Sequence, residues 1–184
     1  DNVDVDQRRV HVKGGNTLDY DRLIVSPGID FKYGEIENFT PEVAETTKNA
    51  ISTTTDLSAA SGCDFVVEAI IEDLAVKKSL YEKLCAKLSE TAILASNTSS
   101  ISITQLASAS DRPDRFIGMH FFNPVPRMAL VEVVTGVQSS DATTGATVAL
   151  AEQMGKTPVR VNDWPGFVAN RVLMPMINEA VFAL

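Results

Sequence analysis

The chain has 184 residues, 45% of them hydrophobic and 22% charged, with a formal net charge of −8. That length allows one substantial core, or one domain and part of a second, and the acidic balance argues against a general nucleic-acid surface, which needs basic patches. No apolar run approaches the roughly 20 residues of a membrane span, no secretory leader is expected, and a start at Asp1 rather than Met leads us to expect a fragment, an engineered piece or a processed form.

Residues 1–46 and 47–184 read as two kinds of sequence. In the first, apolar residues alternate around Val10 and Val12, a turn is expected at Gly14-Gly15-Asn16, and the alternation resumes at Leu18 and Tyr20, the pattern of a β-hairpin. Leu23-Ile24-Val25 reads as a buried strand stopped by Ser26-Pro27-Gly28, and residues 29–45 as a connector without sustained period.

From Ile51 onward strands and helices alternate. Strands are expected at 65–71, 92–96, 115–120, 130–134 and 158–161. A helix is expected over 74–89, because Leu80, Tyr81, Leu84, Cys85 and Leu88 recur on one face. Ser102 and Gln105 form a capping box opening a short helix, and a further helix over 141–154 should stop at Gly155. A last, mainly apolar helix starts at Phe167 and is interrupted by Pro175. Such alternation predicts an α/β fold with a mostly parallel sheet, whose ligands bind beyond the carboxyl ends of the strands.

Three polar clusters fall at those ends: Glu68 to Lys77, Asn97 to Ser100, and His120 to Asn123. His120 is one of two histidines and closes an apolar run, with Glu132 in the next one. An imidazole at a strand end with a carboxylate in reach suits proton abstraction near neutral pH. The structural alternative is a satisfied core histidine beside a surface glutamate. Lys77, Lys78, Lys83 and Lys87 are explained by a solvated helix face. Cys63 and Cys85 have neither CxxC nor metal-ligand spacing, so both are expected as reduced packing residues and no metal is expected.

Several stretches together carry a family resemblance. They are Ile51 to Leu57, Phe65 to Glu72, Ser96-Asn97-Thr98-Ser99-Ser100, Gly118 through Pro126 (including His120-Phe121-Phe122-Asn123-Pro124), Leu130-Val131-Glu132-Val133-Val134, Gly155-Lys156-Thr157-Pro158 and Gly166-Phe167-Val168-Ala169-Asn170-Arg171. In these, residues 47–184 resemble the NAD-dependent 3-hydroxyacyl-CoA dehydrogenases, the 3-hydroxybutyryl-CoA enzymes among them. The resemblance implies a Rossmann-like sheet, NAD as cofactor, an acyl-CoA thioester as substrate and a cytoplasmic setting. It makes His120 the general base for the 3-hydroxyl and Glu132 the carboxylate that fixes its tautomer. Ser99 and Asn170 would bond the substrate oxygen. Glu72, Lys77, Asn97 and Asn123 would lie near the nicotinamide and its ribose. Residue by residue, Ser99 and Asn97 as turn and cap residues, Asn170 as a helix-surface amide and Lys77 as a solvated charge remain open.

The G-x-G-x-x-G turn that cradles the pyrophosphate in such domains does not occur in these 184 residues. Gly14 through Phe31 instead resembles a segment of the flavoprotein subunit of sulfide dehydrogenases, without that family's FAD fingerprint or redox cysteines, so FAD binding is not expected. The chain is thus expected to be a hybrid with its junction near Glu45 to Lys48. Residues 1–46 would be the flavoprotein-like segment, 47–164 an incomplete NAD-binding domain and 165–184 the start of a helical domain. Leu23-Ile24-Val25 would cover the edge of the Phe65–Ile71 strand, and the exposed last helix would favour homo-oligomers. Besides a 3-hydroxyacyl-CoA dehydrogenase, a catalytically silent hybrid or fragment and a flavin-linked electron-transfer module are the other readings.

Overall fold

A computed structural model describes residues 2–4, 9–11, 17–19 and 53–184. The chain forms two compact units, Asp1–Thr53 and Thr54–Leu184. In the first, β1 (Asn2–Asp4), β2 (Arg9–His11) and β3 (Thr17–Asp19) make an antiparallel sheet in that order, with Val10 opposite Leu18. The β2–β3 pairing is the expected hairpin, whereas β1 is too short to show a period in the sequence. The turn at Gly14-Gly15-Asn16, the Leu23-Ile24-Val25 strand and the 29–45 connector lie outside the described residues.

The second unit holds a five-stranded sheet ordered β4 (Phe65–Glu68), β5 (Ile93–Ser96), β6 (Phe116–Phe121), β7 (Leu130–Thr135) and β8 (Thr157–Asn162). All pairs are parallel except β6–β7. The mostly parallel α/β sheet is therefore as expected, with a single antiparallel step. Strand β4 ends at Glu68, three residues short of the expected run, because the Glu68 side chain folds back to accept the Ile70 amide at 2.7 Å. Among the described residues no strand pairs with the outer edge of β4.

Helix α1 (Leu74–Cys85) connects β4 to β5. Its N-cap, Asp73, accepts from the Val76 amide at 2.9 Å and so satisfies one of the free amides of the first turn. The stripe it buries runs through Lys77, Tyr81, Leu84 and Cys85 and continues at Leu88, a spacing of three and four residues. Helix α2 (Ile103–Ala107) opens as expected on Ser102, whose hydroxyl accepts from Gln105 N. Helix α3 (Asp141–Gln153) joins β7 to β8 and stops just before Gly155, and α4 (Ala169–Phe182) contains Pro175.

Alternation along the strands sends side chains to opposite faces. Leu94, Phe116 and Val134 pack with Tyr81, Leu84, Ile103, Leu106 and Phe167 on one face. Ile93, Ala95, Ile117, Met119, Val131 and Val133 pack on the other, with Ala151 of α3. Burying both faces is what turns β5–β7 into near-continuous apolar runs. In the same period of two, His120 falls on the face of Phe116, and Glu132 on the face of Val134. No described helix is long and apolar enough to cross a membrane.

Candidate active site

The antiparallel step places His120 of β6 directly opposite Glu132 of β7. Their side chains share a face, and His120 Nδ1 lies 2.8 Å from Glu132 Oε2. Both residues are buried, at 5% and 2% exposure. The surface glutamate of the structural alternative is thus ruled out, since Glu132 sits inside the sheet. Its other oxygen accepts the amides of Val168 at 3.0 Å and Ala169 at 2.8 Å, where α4 begins. With Oε1 taken up by those amides, Oε2 is the acceptor that faces Nδ1. A proton-bearing Nδ1 there leaves Nε2 of a neutral imidazole as the lone-pair nitrogen.

That second nitrogen lies 3.1 Å from Ser99 Oγ. Ser99 is exposed in the loop after β5, and the Asn170 side-chain amide donates to its carbonyl at 3.2 Å. The four residues expected to carry the chemistry, His120, Glu132, Ser99 and Asn170, are therefore joined by one chain of contacts drawn from β6, β7, the β5 loop and α4. The rings of Phe122 and Phe167 flank the imidazole, with centroids 4.6 and 5.6 Å away.

Glu72 ties the β5 loop down. Its Oε1 accepts from Thr98 Oγ1 at 2.5 Å, from the Ser99 and Ser100 amides at 2.9 and 3.1 Å, and from Ser100 Oγ at 3.1 Å. Burial pushes the Glu72 carboxyl up, but these donors and the nearby Lys77 outweigh it and hold it below its ordinary value. Asn97 Oδ1 accepts the Phe121 amide at 2.9 Å, fixing the end of β6 beside His120. Asn123 is exposed beyond β6, ahead of a cis bond to Pro124, and among the described residues it makes no hydrogen bond to any of these groups.

Lys77 corrects the solvated-face reading, being 1% exposed. Its ammonium lies 2.6 Å from Glu68 Oε1, 3.3 Å from the Ile70 carbonyl and 3.5 Å from Glu72 Oε2. Glu68 Oε2 accepts from Tyr81 at 2.6 Å and Ser96 at 2.7 Å. Burial pushes the Glu68 carboxyl up, yet bonds from Lys77, Tyr81, Ser96 and the Ile70 amide bring it below the usual range. Burial and Glu68 together push the Tyr81 hydroxyl well up. The sequence carried a signal for this: Lys77 stands four residues before Tyr81 on the apolar stripe, where a solvated lysine does not belong. Asp163 was missed outright. It accepts from Ser102 Oγ and the Ile103 and Thr104 amides at 2.7–2.9 Å, a cap about 60 residues away that no local pattern reveals.

Sheet, crossover helices and polar strand ends define a nucleotide-binding type of α/β protein. The model of the 3-hydroxyacyl-CoA dehydrogenase NAD-binding domain matches residues 32–164, and the chain belongs to that family of NAD-dependent oxidoreductases. It is 54% identical over 140 residues to a probable 3-hydroxybutyryl-CoA dehydrogenase of Deinococcus radiodurans, covering 76% of this chain and 50% of that one. It is 48% identical over 151 residues to the mitochondrial hydroxyacyl-coenzyme A dehydrogenase of Sus scrofa, covering 82% and 48%. The crystal structure of (S)-3-hydroxybutyryl-CoA dehydrogenase PaaH1 from Ralstonia eutropha superposes with a TM-score of 0.75 at 48% identity, over 77% of this chain and 50% of that one. The chain spans about half the length of these relatives. The family match begins at residue 32, upstream of the junction expected near Glu45 to Lys48, and nothing in these comparisons supports the flavoprotein resemblance of residues 1–46.

Proposed function

We propose that the chain carries the proton-transfer pair and the nicotinamide side of an NAD-dependent 3-hydroxyacyl-CoA dehydrogenase, oxidising a 3-hydroxyacyl thioester to the 3-oxo product. The supporting observation is the run of hydrogen bonds from Asn170 through Ser99 and His120 to Glu132, which ends on the α4 amides. Residues 47–164 would be the dinucleotide-binding part, and 165–184 would open the helical part.

The residues past β4 and β5 fit the nicotinamide end of the cofactor. Glu72, Asn97 and Ser99 offer carboxylate, amide and hydroxyl groups, and Ile70 and Ile71 leave apolar surface exposed beside them. Lys77, within 3.5 Å of Glu72, would orient that carboxylate, and Asn123 would close the same rim. NAD, when bound, supplies the hydride acceptor that no side chain can provide.

The protein's part is proton transfer and orientation. The substrate hydroxyl takes the place of Ser99 on His120 Nε2, which removes its proton as the C3 hydride departs. Nδ1–H stays on Glu132, so the imidazolium forms beside a carboxylate already aligned with it. Ser99 Oγ and the Asn170 amide, released toward the new carbonyl oxygen, stabilise its partial negative charge.

The second reading is a catalytically silent hybrid or fragment that retains the fold, these 184 residues containing no G-x-G-x-x-G turn. Each charge-assisted hydrogen bond to phosphate contributes roughly 1.5–3 kcal/mol, so a site without that turn holds the pyrophosphate far less tightly. One assay separates the two, namely NADH oxidation driven by acetoacetyl-CoA. Activity is expected to fall about 10²–10⁴-fold in His120→Ala. Undiminished activity in that variant removes His120 from the mechanism, and silence in both chains supports the second reading.

A further inference from the structure

Helix α4 has no buried residue, and Val172, Met174, Met176 and Val181 along it are each more than half exposed. What ties it to the sheet is its first turn, and that turn has an unusual entry. Gly166 and Phe167 are consecutive left-handed residues, with φ of 77° and 50°. For a bulky side chain that conformation is a true outlier, retained only where the surroundings impose it. Gly166 is required twice over, since a Cβ there would also meet the Arg171 amide nitrogen at 3.1 Å. The Phe167 amide is held by the Trp164 carbonyl at 2.8 Å, and the Arg171 amide donates to the Gly166 carbonyl at 3.0 Å.

The double left-handed step has two consequences at the site. It turns the next two amides, Val168 and Ala169, onto Glu132 Oε1. It also drives the Phe167 ring, 2% exposed, into the core, where it packs in a T-shaped contact with the imidazole of His120. One backbone feature thus fixes the carboxylate from one side and the imidazole from the other.

We propose that the Gly166–Phe167 step is a positioning device for the His120–Glu132 pair, with Phe167 a positioning residue that acts through the imidazole and Gly166 through the carboxylate. This rests on the proposed role of His120 as base and adds what holds the imidazole and its carboxylate in register. The device makes two separable predictions. Gly166→Ala spoils the turn but keeps the ring. Phe167→Asn keeps the turn, because asparagine tolerates the left-handed region, but removes the ring.

The test is NMR on the isotopically labelled full chain, reading hydrogen exchange at the Val168 and Ala169 amides and at the Nδ1 proton of His120. In the starting chain both amides and the Nδ1 proton are protected. Gly166→Ala is expected to lower protection of both amides about tenfold, the scale of one missing hydrogen bond. Phe167→Asn is expected to keep that protection within about twofold while the Nδ1 proton, on an imidazole no longer packed in register with Glu132, exchanges about tenfold faster. Protected Val131 and Val133 amides certify the fold. If Phe167→Asn unfolds, Phe167→Met, which keeps apolar bulk but no aromatic ring, is read by the Nδ1 proton alone. Unchanged amides in Gly166→Ala, or an unchanged Nδ1 exchange rate in the Phe167 variants, overturns the proposal. Absent NADH oxidation in the starting chain removes the functional reading alone, since the two NMR readouts are independent of turnover.

Discussion

Two buried carboxylates face the same layer of this molecule and have opposite fates. Glu68 and Glu132 are 4% and 2% exposed, and each accepts hydrogen bonds on both oxygens. The donors to Glu68 come from β5, α1 and the turn after β4, and its cation, Lys77, is buried among protein oxygens. Glu132 holds an imidazole whose far nitrogen meets only an exposed serine hydroxyl. Burial and a dense set of donors are common to both, so neither marks a reactive group. What differs is whether the partner has an atom left over that a ligand can reach.

The comparison breaks most visibly if Glu68 is removed. Glu68→Ala strands the Lys77 ammonium in the interior, which costs about 3–5 kcal/mol, read from the urea unfolding midpoint. A loss near the ~0.5 kcal/mol of an ordinary surface change would mean that the cluster is not a closed counterpart to the His120–Glu132 pair. Acid sharpens the same point. The Glu68 and Asp163 carboxyls are held below their ordinary values of 4.5 and 3.8 by the donors that outweigh burial. Their stabilisation is complete above those values and lost as pH falls through them toward the lowered folded-state values. Unfolding free energy measured against pH should therefore decline below about 4.5, and a flat profile there would contradict the assigned bonds.

Smaller effects probe how the sheet is held to its helices near His120. A Cβ on Gly118 would lie 2.7 Å from Val134 Cβ and 2.8 Å from Ile103 Cδ1. Gly118→Ala should cost about 1–3 kcal/mol by overpacking, and a neutral result would show that α2 can withdraw from β6 freely. Asp163→Ala, which uncaps α2, should cost about 1 kcal/mol in the same unfolding measurement and leave the His120 imidazole spectrum unchanged, because that carboxylate touches neither His120 nor Glu132.

The alternating pattern of strands and helices was legible in the sequence because each element leaves its own period: two along β5–β7, three and four along α1. The His120 and Ser99 candidates were legible because polar residues gather at strand ends, and Glu132 because a carboxylate interrupts an apolar run. Local pattern also located the Ser102 cap and the stop near Gly155. It failed at Lys77, where the long aliphatic stem let a charge occupy a core position, and at β4, where a side chain ended the strand.

What the sequence determined by itself was which residues could meet, since hydrophobic periodicity fixes the face each side chain takes. Only the tertiary structure decided that they do. The antiparallel step between β6 and β7 set His120 against Glu132, and the left-handed entry to α4 brought amides from 36 and 37 residues further on to the same carboxylate. Pairings of that range depend on chain closure and on burial shared among many groups, and no local window of residues encodes either.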